Sequence, residues 1–282
     1  MADRTTPWRI LKLLGISAKL DLIWLLRDTK FTLIGMAADV IANLSTVSGV
    51  LLIALRFGGI GGMSAHEVLF MMAYSTLVTG LFSLFGSGNN IHISRVIGRG
   101  QLEHLFLQPL SLKVQLFTNG FSPFTGSSNF FLGIALMGFA LQRLQLQPSF
   151  GWLLSLAGYV LITLTIIVAR SYLVSSLAFY APVSAEEISS TAIEDTWFLS
   201  TFPLSGMPKF IQFPLVTLLP EGLMAWFPAL TLLGRPPMGL TRYYPLLFAL
   251  LLALLARTIF QKGMKYYVKT GSDRYVPWGF RR

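Results

Sequence analysis

The segment "FTLIGMAADVIANLSTVSGVLLIAL", residues 31–55, contains a single charged residue, Asp39. A helix needs about 20 predominantly apolar residues to span the hydrocarbon core of a bilayer, and this segment exceeds that length. Five further segments have a similar apolar character: 68–85, 117–141, 152–179, 202–233 and 244–260. The sequence therefore predicts an all-α membrane protein whose single domain contains six transmembrane helices.

The composition supports this fold class and excludes several functions. Of the 282 residues, 54% are hydrophobic and 12% are charged, whereas soluble domains usually contain about 25% charged residues. The formal net charge is +10, but the basic residues lie between apolar segments, so nucleic-acid binding is not predicted. The chain has no cysteine, and its three histidines lack the spacing of a zinc site. We therefore expect no metal site and no enzymatic activity.

The basic residues also predict the topology. Residues 8–30 interleave lysine and arginine with leucine and tryptophan, a pattern typical of a helix that lies on the membrane surface. Placing both termini in the cytoplasm puts most of the 22 basic residues on the cytoplasmic side, as the positive-inside rule requires. We expect a cytoplasmic interfacial segment (1–30), six spans (31–260) and a basic cytoplasmic tail (261–282) that contacts lipid headgroups.

The fifth apolar segment, residues 202–233, is rich in proline. Proline removes a backbone donor and interrupts a helix, so we expect a kinked or re-entrant element whose freed carbonyl groups are satisfied inside the protein. The acidic stretch 186–195 that precedes it is expected to be a cytoplasmic link. The prolines of the segment are Pro203, Pro208, Pro214, Pro220 and Pro228.

A polar insert, residues 86–115, separates the second and third apolar segments and contains the stretch "GRGQLEHLFLQPLS". Leu102, Leu105 and Phe106 follow an i, i+3, i+4 spacing, which predicts a short helix with one apolar face. Pro109 is expected to end this helix near residue 108. A helix of two turns is not stable alone, so its apolar face rests either on the membrane surface or on another protein.

This stretch resembles the signature of the type-two permeases of ATP-binding-cassette exporters, a bacterial family with six spans. Gln108 departs from the family pattern, which usually has a basic residue there. The stretches "FPLSGMPKFIQFPLVTLLPEGLMAWFPALTLLG" (202–234) and "FQKGMKYYVKTGS" (260–272) resemble the proline-rich fifth segment and the closing basic motif of the same family. The positions of the insert that match the family pattern are Gly100, Glu103, Leu105, Leu107 and 109–111.

The resemblance implies a permease subunit of the bacterial cytoplasmic membrane that exports an amphiphilic cargo such as a lipid, a peptide or a drug-like molecule. A separate ATPase, bound in two copies, would hold ATP and Mg²⁺, and a second permease copy, identical or related, would complete the pathway. The chain itself has no phosphate-binding G-x-x-x-x-G-K-[ST] loop and needs no cofactor. The residues that the resemblance assigns to coupling with the ATPase are Gly100, Leu102, Glu103, Leu105, Phe106 and Pro109.

Four further residues are candidates for a cargo path or gate. Asp39 and Arg170 are ionisable residues within apolar segments, where an unpaired charge costs a few kcal/mol. Pro220 and Glu221 lie where the backbone of the fifth segment is expected to be irregular. Structural roles for Asp39 and Arg170 stay open. A secondary transporter or channel driven by an ion gradient is an alternative function, and it would require an essential intramembrane carboxylate.

Overall fold

The computed structural model describes residues 7–86 and 93–271, so residues 87–92 of the insert and most of the basic tail lie outside the described part. Within these ranges the chain forms helices and turns without a β-strand, which confirms the predicted all-helical class. The helices are α1 (Pro7–Arg27), α2 (Thr29–Arg56), α3 (Ala65–Gly86), α4 (Ile93–Gly98), α5 (Gln101–Phe106), α6 (Leu112–Asn119), α7 (Ser128–Arg143), α8 (Phe150–Ser175), α9 (Pro182–Ser200), α10 (Lys209–Gln212), α11 (Pro214–Thr217), α12 (Glu221–Met224), α13 (Trp226–Leu232) and α14 (Tyr244–Thr270).

Among the described helices, α2, α3, α8 and α14 are long and apolar enough to cross a membrane. They correspond to the first, second, fourth and last apolar segments of the sequence. The third segment is divided into α6 and α7, because the turn at residues 120–127 interrupts it. The chain is therefore a multi-pass membrane protein.

Helix α3 lies at the centre of the bundle. In its apolar window 72% of the residues are buried, compared with 17% in α2 and in α14. Its closest partner is α7, and the second close helix pair is α8 with α14. Since α2 and α14 are mainly exposed, they form the apolar periphery that a bilayer would cover.

Two glycines allow the backbones of α3 and α7 to touch. A Cβ atom on Gly133 of α7 would lie 2.5 Å from the Cα atom of Leu77 in α3. In the same way, a Cβ atom on Gly80 of α3 would collide with the backbone of Phe130 in α7. Small residues at such crossings let transmembrane helices approach closely, which increases their van der Waals contact.

The bundle has two ends, which we name by their connections. The loop end contains residues 57–64, which join α2 to α3, and the insert end contains α4, α5 and α6. Helix α1 packs at the insert end, where Ser17 donates a hydrogen bond of 2.9 Å to the carbonyl oxygen of Thr118. The Asp21 carboxylate also accepts hydrogen bonds from the backbone N–H groups of Phe124 (2.8 Å) and Thr125 (3.1 Å).

Helix α9 differs from the sequence-based expectation. The acidic stretch 186–195, expected to be a link, belongs to this continuous helix. The helix starts beside the insert end, where Glu186 accepts a hydrogen bond of 2.8 Å from Arg95. A helix of this length extends about 28 Å, close to the thickness of the hydrocarbon core. This helix packs against α4, α8 and α12, which hydropathy alone does not reveal.

The proline-rich segment folds back on itself between residues 204 and 232. Its start lies at the loop end, because a Cβ atom on Gly206 would be 3.1 Å from the Cα atom of Gly61. Its finish lies at the same end, because the Trp152 indole N–H donates a hydrogen bond of 3.0 Å to the carbonyl oxygen of Leu232. Of the two predicted alternatives, a kinked and a re-entrant element, the structure therefore shows the re-entrant one. We call residues 204–232 the re-entrant hairpin.

The glycine contact between α3 and α7 gives a first prediction. Gly133→Leu should destabilise the bundle by about 1–3 kcal/mol, because the larger side chain forces the two backbones apart. Gly138→Leu is the matched control, since a Cβ atom at Gly138 meets no atom within 4 Å on the same helix. Unfolding of the purified chain in mixed micelles measures both effects. Equal destabilisation by the two variants would contradict the proposed role of the contact.

Candidate functional site

The structure brings two of the four cargo-path candidates together. The Nη1 atom of Arg170 on α8 forms an ion pair with the Oε1 atom of Glu221 on α12. The Glu221 side chain is only 1% exposed and the Arg170 side chain 13%. Among the residues for which burial is described, Glu221 is the one acidic residue in the interior. The pair therefore joins a membrane-spanning helix to the re-entrant hairpin in a water-poor environment.

Local packing fixes the position of Glu221. Pro220 ends the preceding turn and accepts a backbone hydrogen bond of 2.9 Å from Leu223, which starts α12. Gly222 is enclosed, since a Cβ atom there would lie 2.7 Å from Leu204 Cδ1. The Tyr244 hydroxyl donates a hydrogen bond of 3.0 Å to the carbonyl oxygen of Val216 and so ties the hairpin to α14. Pro220 thus has a structural role in the site.

The ion pair involves only one of the two carboxylate oxygen atoms of Glu221. The Oε2 atom is buried and accepts no hydrogen bond from the described residues. Removing one partner of a buried pair usually costs about 3–5 kcal/mol, because the other charge is then left uncompensated. The pair can therefore hold the hairpin against α8, while Oε2 stays able to accept a further hydrogen bond.

Asp39 does not belong to this pair. Its side chain is exposed on α2 and forms no hydrogen bond or ion pair with the described residues. One turn later, the Asn43 side chain donates hydrogen bonds to the Asp39 carbonyl oxygen (3.1 Å) and to Asn129 of α7 (2.9 Å). The carboxylate of Asp39 therefore points away from the chain's own packing.

In the insert, Leu102 does not lie on an exposed face with Leu105 and Phe106. Its side chain is 1% exposed and packs in an apolar cluster at the insert end. Gly100 precedes α5 with a φ of 67°, a conformation that favours glycine, and it turns the chain so that Leu102 faces the bundle. The buried members of the cluster are Ile93, Val96, Ile97, Leu102, Leu116, Ala178, Phe179, Ala185 and Tyr267.

The exposed apolar surface of the insert is formed by Phe106 and Leu107, whose exposed fractions are 46% and 83%. Leu105 is half-buried and packs against the cluster. The helix ends at Phe106, two residues earlier than expected, because the chain turns there. The Gln115 side chain stabilises this turn by donating hydrogen bonds of 2.8 Å to the carbonyl oxygens of Leu105 and Leu110.

The remaining residues assigned to the insert lie around this surface. Glu103 is half-buried and Pro109 is exposed just after the turn. Leu107 matches the family pattern of the insert but was not among the residues assigned to coupling, and its side chain is 83% exposed.

Comparisons with known proteins identify a family. A family model described as "ABC-2 family transporter protein" matches residues 40–271 of the chain. The matched range contains the insert, α8 and the re-entrant hairpin. Comparison with curated proteins and with solved structures found no match.

The ion pair gives a second prediction. Glu221→Gln should lower the free energy of unfolding by about 3–5 kcal/mol, because it leaves the Arg170 charge buried and unpaired. Glu67→Gln is the matched control, since it breaks the Glu67–Arg235 pair, in which the arginine side chain is 51% exposed. That exposed pair should contribute at most about 1 kcal/mol. Denaturant titration of both variants tests this difference, and equal losses would refute the structural importance of the buried pair.

Proposed function

Because the chain belongs to the ABC-2 family of transporter proteins, we propose that it is the permease subunit of an exporter driven by a separate ATPase. The family places it among transport subunits and implies an ATPase partner in general. The observation that carries the finer proposal is the exposed pair Phe106 and Leu107 at the insert end. These side chains can dock in an apolar groove of the ATPase, which binds ATP and Mg²⁺.

The proposed topology has six spans, formed by α2, α3, α7, α8, α9 and α14. The re-entrant hairpin then enters from the loop end and returns there without crossing. An even number of spans keeps both termini on one side, which we assign to the cytoplasm of a bacterial cell on the basis of the positive-inside bias. Helix α1 lies along the cytoplasmic surface of the inner membrane, and its exposed Trp8 and Trp24 are suited to the interfacial region.

Coupling proceeds through the buried cluster beneath α5. ATP-driven closure of two ATPase subunits would displace the insert of each permease. Leu102 of α5 lies in the same buried cluster as Phe179, four residues beyond the end of α8, and Tyr267 of α14. Burial of each large apolar side chain contributes roughly 1.5–3 kcal/mol, enough for the insert and these helix ends to move as one body.

Movement of α8 would act on the ion pair between Arg170 and Glu221. We propose that this pair is a gate that holds the tip of the re-entrant hairpin against α8 until the cluster moves. Once the pair opens, the Oε2 atom of Glu221, which is buried in the closed pair, would accept a hydrogen bond from a polar group of an amphiphilic cargo. Pro220 fixes the tip that carries this carboxylate.

A second permease copy, identical or related, would complete the pathway. Asp39 supports this proposal, because a carboxylate exposed on a membrane-spanning helix costs a few kcal/mol in contact with lipid. A second copy, or a water-filled path beside it, would remove that cost. The same carboxylate would be the coupling group if the chain were a secondary transporter driven by an ion gradient.

The topology can be tested with single cysteines, since the chain has none. Phe57, 79% exposed, marks the loop end, and Leu107 marks the insert end. We expect a membrane-impermeant maleimide to label Phe57→Cys in intact cells and Leu107→Cys only after permeabilisation. Labelling of Leu107→Cys from outside would overturn the proposed site of the ATPase.

The coupling surface gives a further prediction. Phe106→Asp combined with Leu107→Asp should weaken ATPase binding at least about 100-fold, because two apolar contacts are lost. Phe57→Asp introduces one carboxylate at an exposed aromatic residue of the loop end and should leave binding unchanged. Copurification and titration of the ATPase measure the effect. Transport that persists in the double variant under an ion gradient would favour the secondary transporter instead.

A further inference from the structure

A lateral groove lies between α3, α6, α8 and α14 in the half of the bundle nearest the insert end. It consists of two adjoining cavities of about 500 and 570 Å³ that share Leu116, Phe117, Leu164 and Tyr172 as walls. Each volume falls within the range of about 300–1,000 Å³ that is usual for small-molecule sites. The groove is therefore large enough for part of an amphiphilic molecule.

The walls of the groove are almost entirely apolar, and the groove opens sideways. Phe117, Leu161 and Val168 line it and are 44–65% exposed. In a protein that spans a bilayer, surfaces of this kind face the acyl chains of lipids. Because the groove lies in the half of the bundle nearest the insert end, it would face one leaflet of a bilayer.

Two cations, Lys113 of α6 and Arg257 of α14, also line the groove. Both are exposed, and neither forms a hydrogen bond or an ion pair with another described residue. The residues that line the groove include no aspartate or glutamate. The groove therefore combines an apolar volume with uncompensated positive charge.

Arg257 lies at membrane depth. Along the helix axis, Arg257 lies about 20 Å from Tyr244, the first residue of α14. Lys262 and Lys265 lie further towards the insert end. An unpaired cation at this depth is costly unless an anion or water accompanies it. Arg170 avoids that cost through Glu221, but Arg257 has no such partner within the described chain.

We infer that this groove binds an anionic phospholipid from the leaflet on the insert side. An acyl chain fills the apolar cavities, and the phosphate accepts charge-assisted hydrogen bonds from Lys113 and Arg257. An anionic lipid is the occupant that charge complementarity favours, because two cationic and no anionic side chains line the groove. The inference goes beyond the proposed transport function, because lipid binding here requires neither ATP nor a partner.

The test uses the full-length chain with Thr165→Cys, an exposed position in the groove, labelled with a fluorophore. The labelled protein is reconstituted with brominated phosphatidylglycerol or brominated phosphatidylcholine. We expect quenching by phosphatidylglycerol at about 25-fold lower lipid fractions, because each of the two cations contributes about fivefold near an anionic lipid. Inorganic phosphate should not compete, since it has no acyl chain.

Lys113→Gln combined with Arg257→Gln should abolish the preference for phosphatidylglycerol. Lys262→Gln combined with Lys265→Gln is the matched control, because these lysines do not line the groove, and it should keep the preference. Leu164→Trp, which fills the groove, should reduce quenching by both lipids. Circular dichroism checks that each variant retains its helices, and native mass spectrometry counts bound phosphatidylglycerol independently.

Three results would overturn the inference. Equal quenching by the two lipids would show that the groove holds bulk membrane lipid without selection. Equal loss of preference in the two double variants would show a general surface-charge effect. A disulfide between two copies through Thr165→Cys would show that a second permease occupies the groove. None of these results depends on ATPase binding, so the inference and the proposed function can fail separately.

Discussion

The backbone contact between α3 and α7 is the constraint on which the rest of the fold depends. Gly80 and Gly133 let the two helices touch, and α3 thereby becomes the most buried of the long helices. Within a bilayer, the hydrophobic effect adds little to helix association, so close packing must supply the stability. A fixed α3 gives α8 and the re-entrant hairpin a surface to pack on, which in turn positions Glu221.

Helix α8 connects the three regions with proposed functions. It carries Arg170, it forms one wall of the lateral groove, and Phe179, just beyond its end, belongs to the same apolar cluster as Leu102. A displacement of the insert would therefore reach the ion pair and the groove through one element. In the mechanism we propose, α8 is the physical link between ATP use at the surface and cargo movement in the membrane.

The sequence predicted the helical class, the apolar segments, the short insert helix and the irregular hairpin, because each has a local signal. It did not predict which side of α5 is buried, since helical spacing defines a face but not what the face contacts. Arg170 and Glu221 were each identified, but their pairing across 51 positions depends on the tertiary fold. Helix α9 was missed because its acidic residues lower its hydropathy, whereas its packing against α4, α8 and α12 depends on the tertiary fold.

The charged residues at membrane depth are of two kinds: some are paired within the chain, and others have no partner among the described residues. Arg170 and Glu221 neutralise each other within the chain, so their cost is offset permanently and breaking them requires a conformational change. Asp39 and Arg257 have no such partner among the described residues, so their cost must be offset by something outside the chain. A second copy, water or lipid can supply this compensation and can also leave. In the mechanism we propose, the unpaired charges at this depth are where the chain binds and releases other molecules, while the buried pair determines when the path opens.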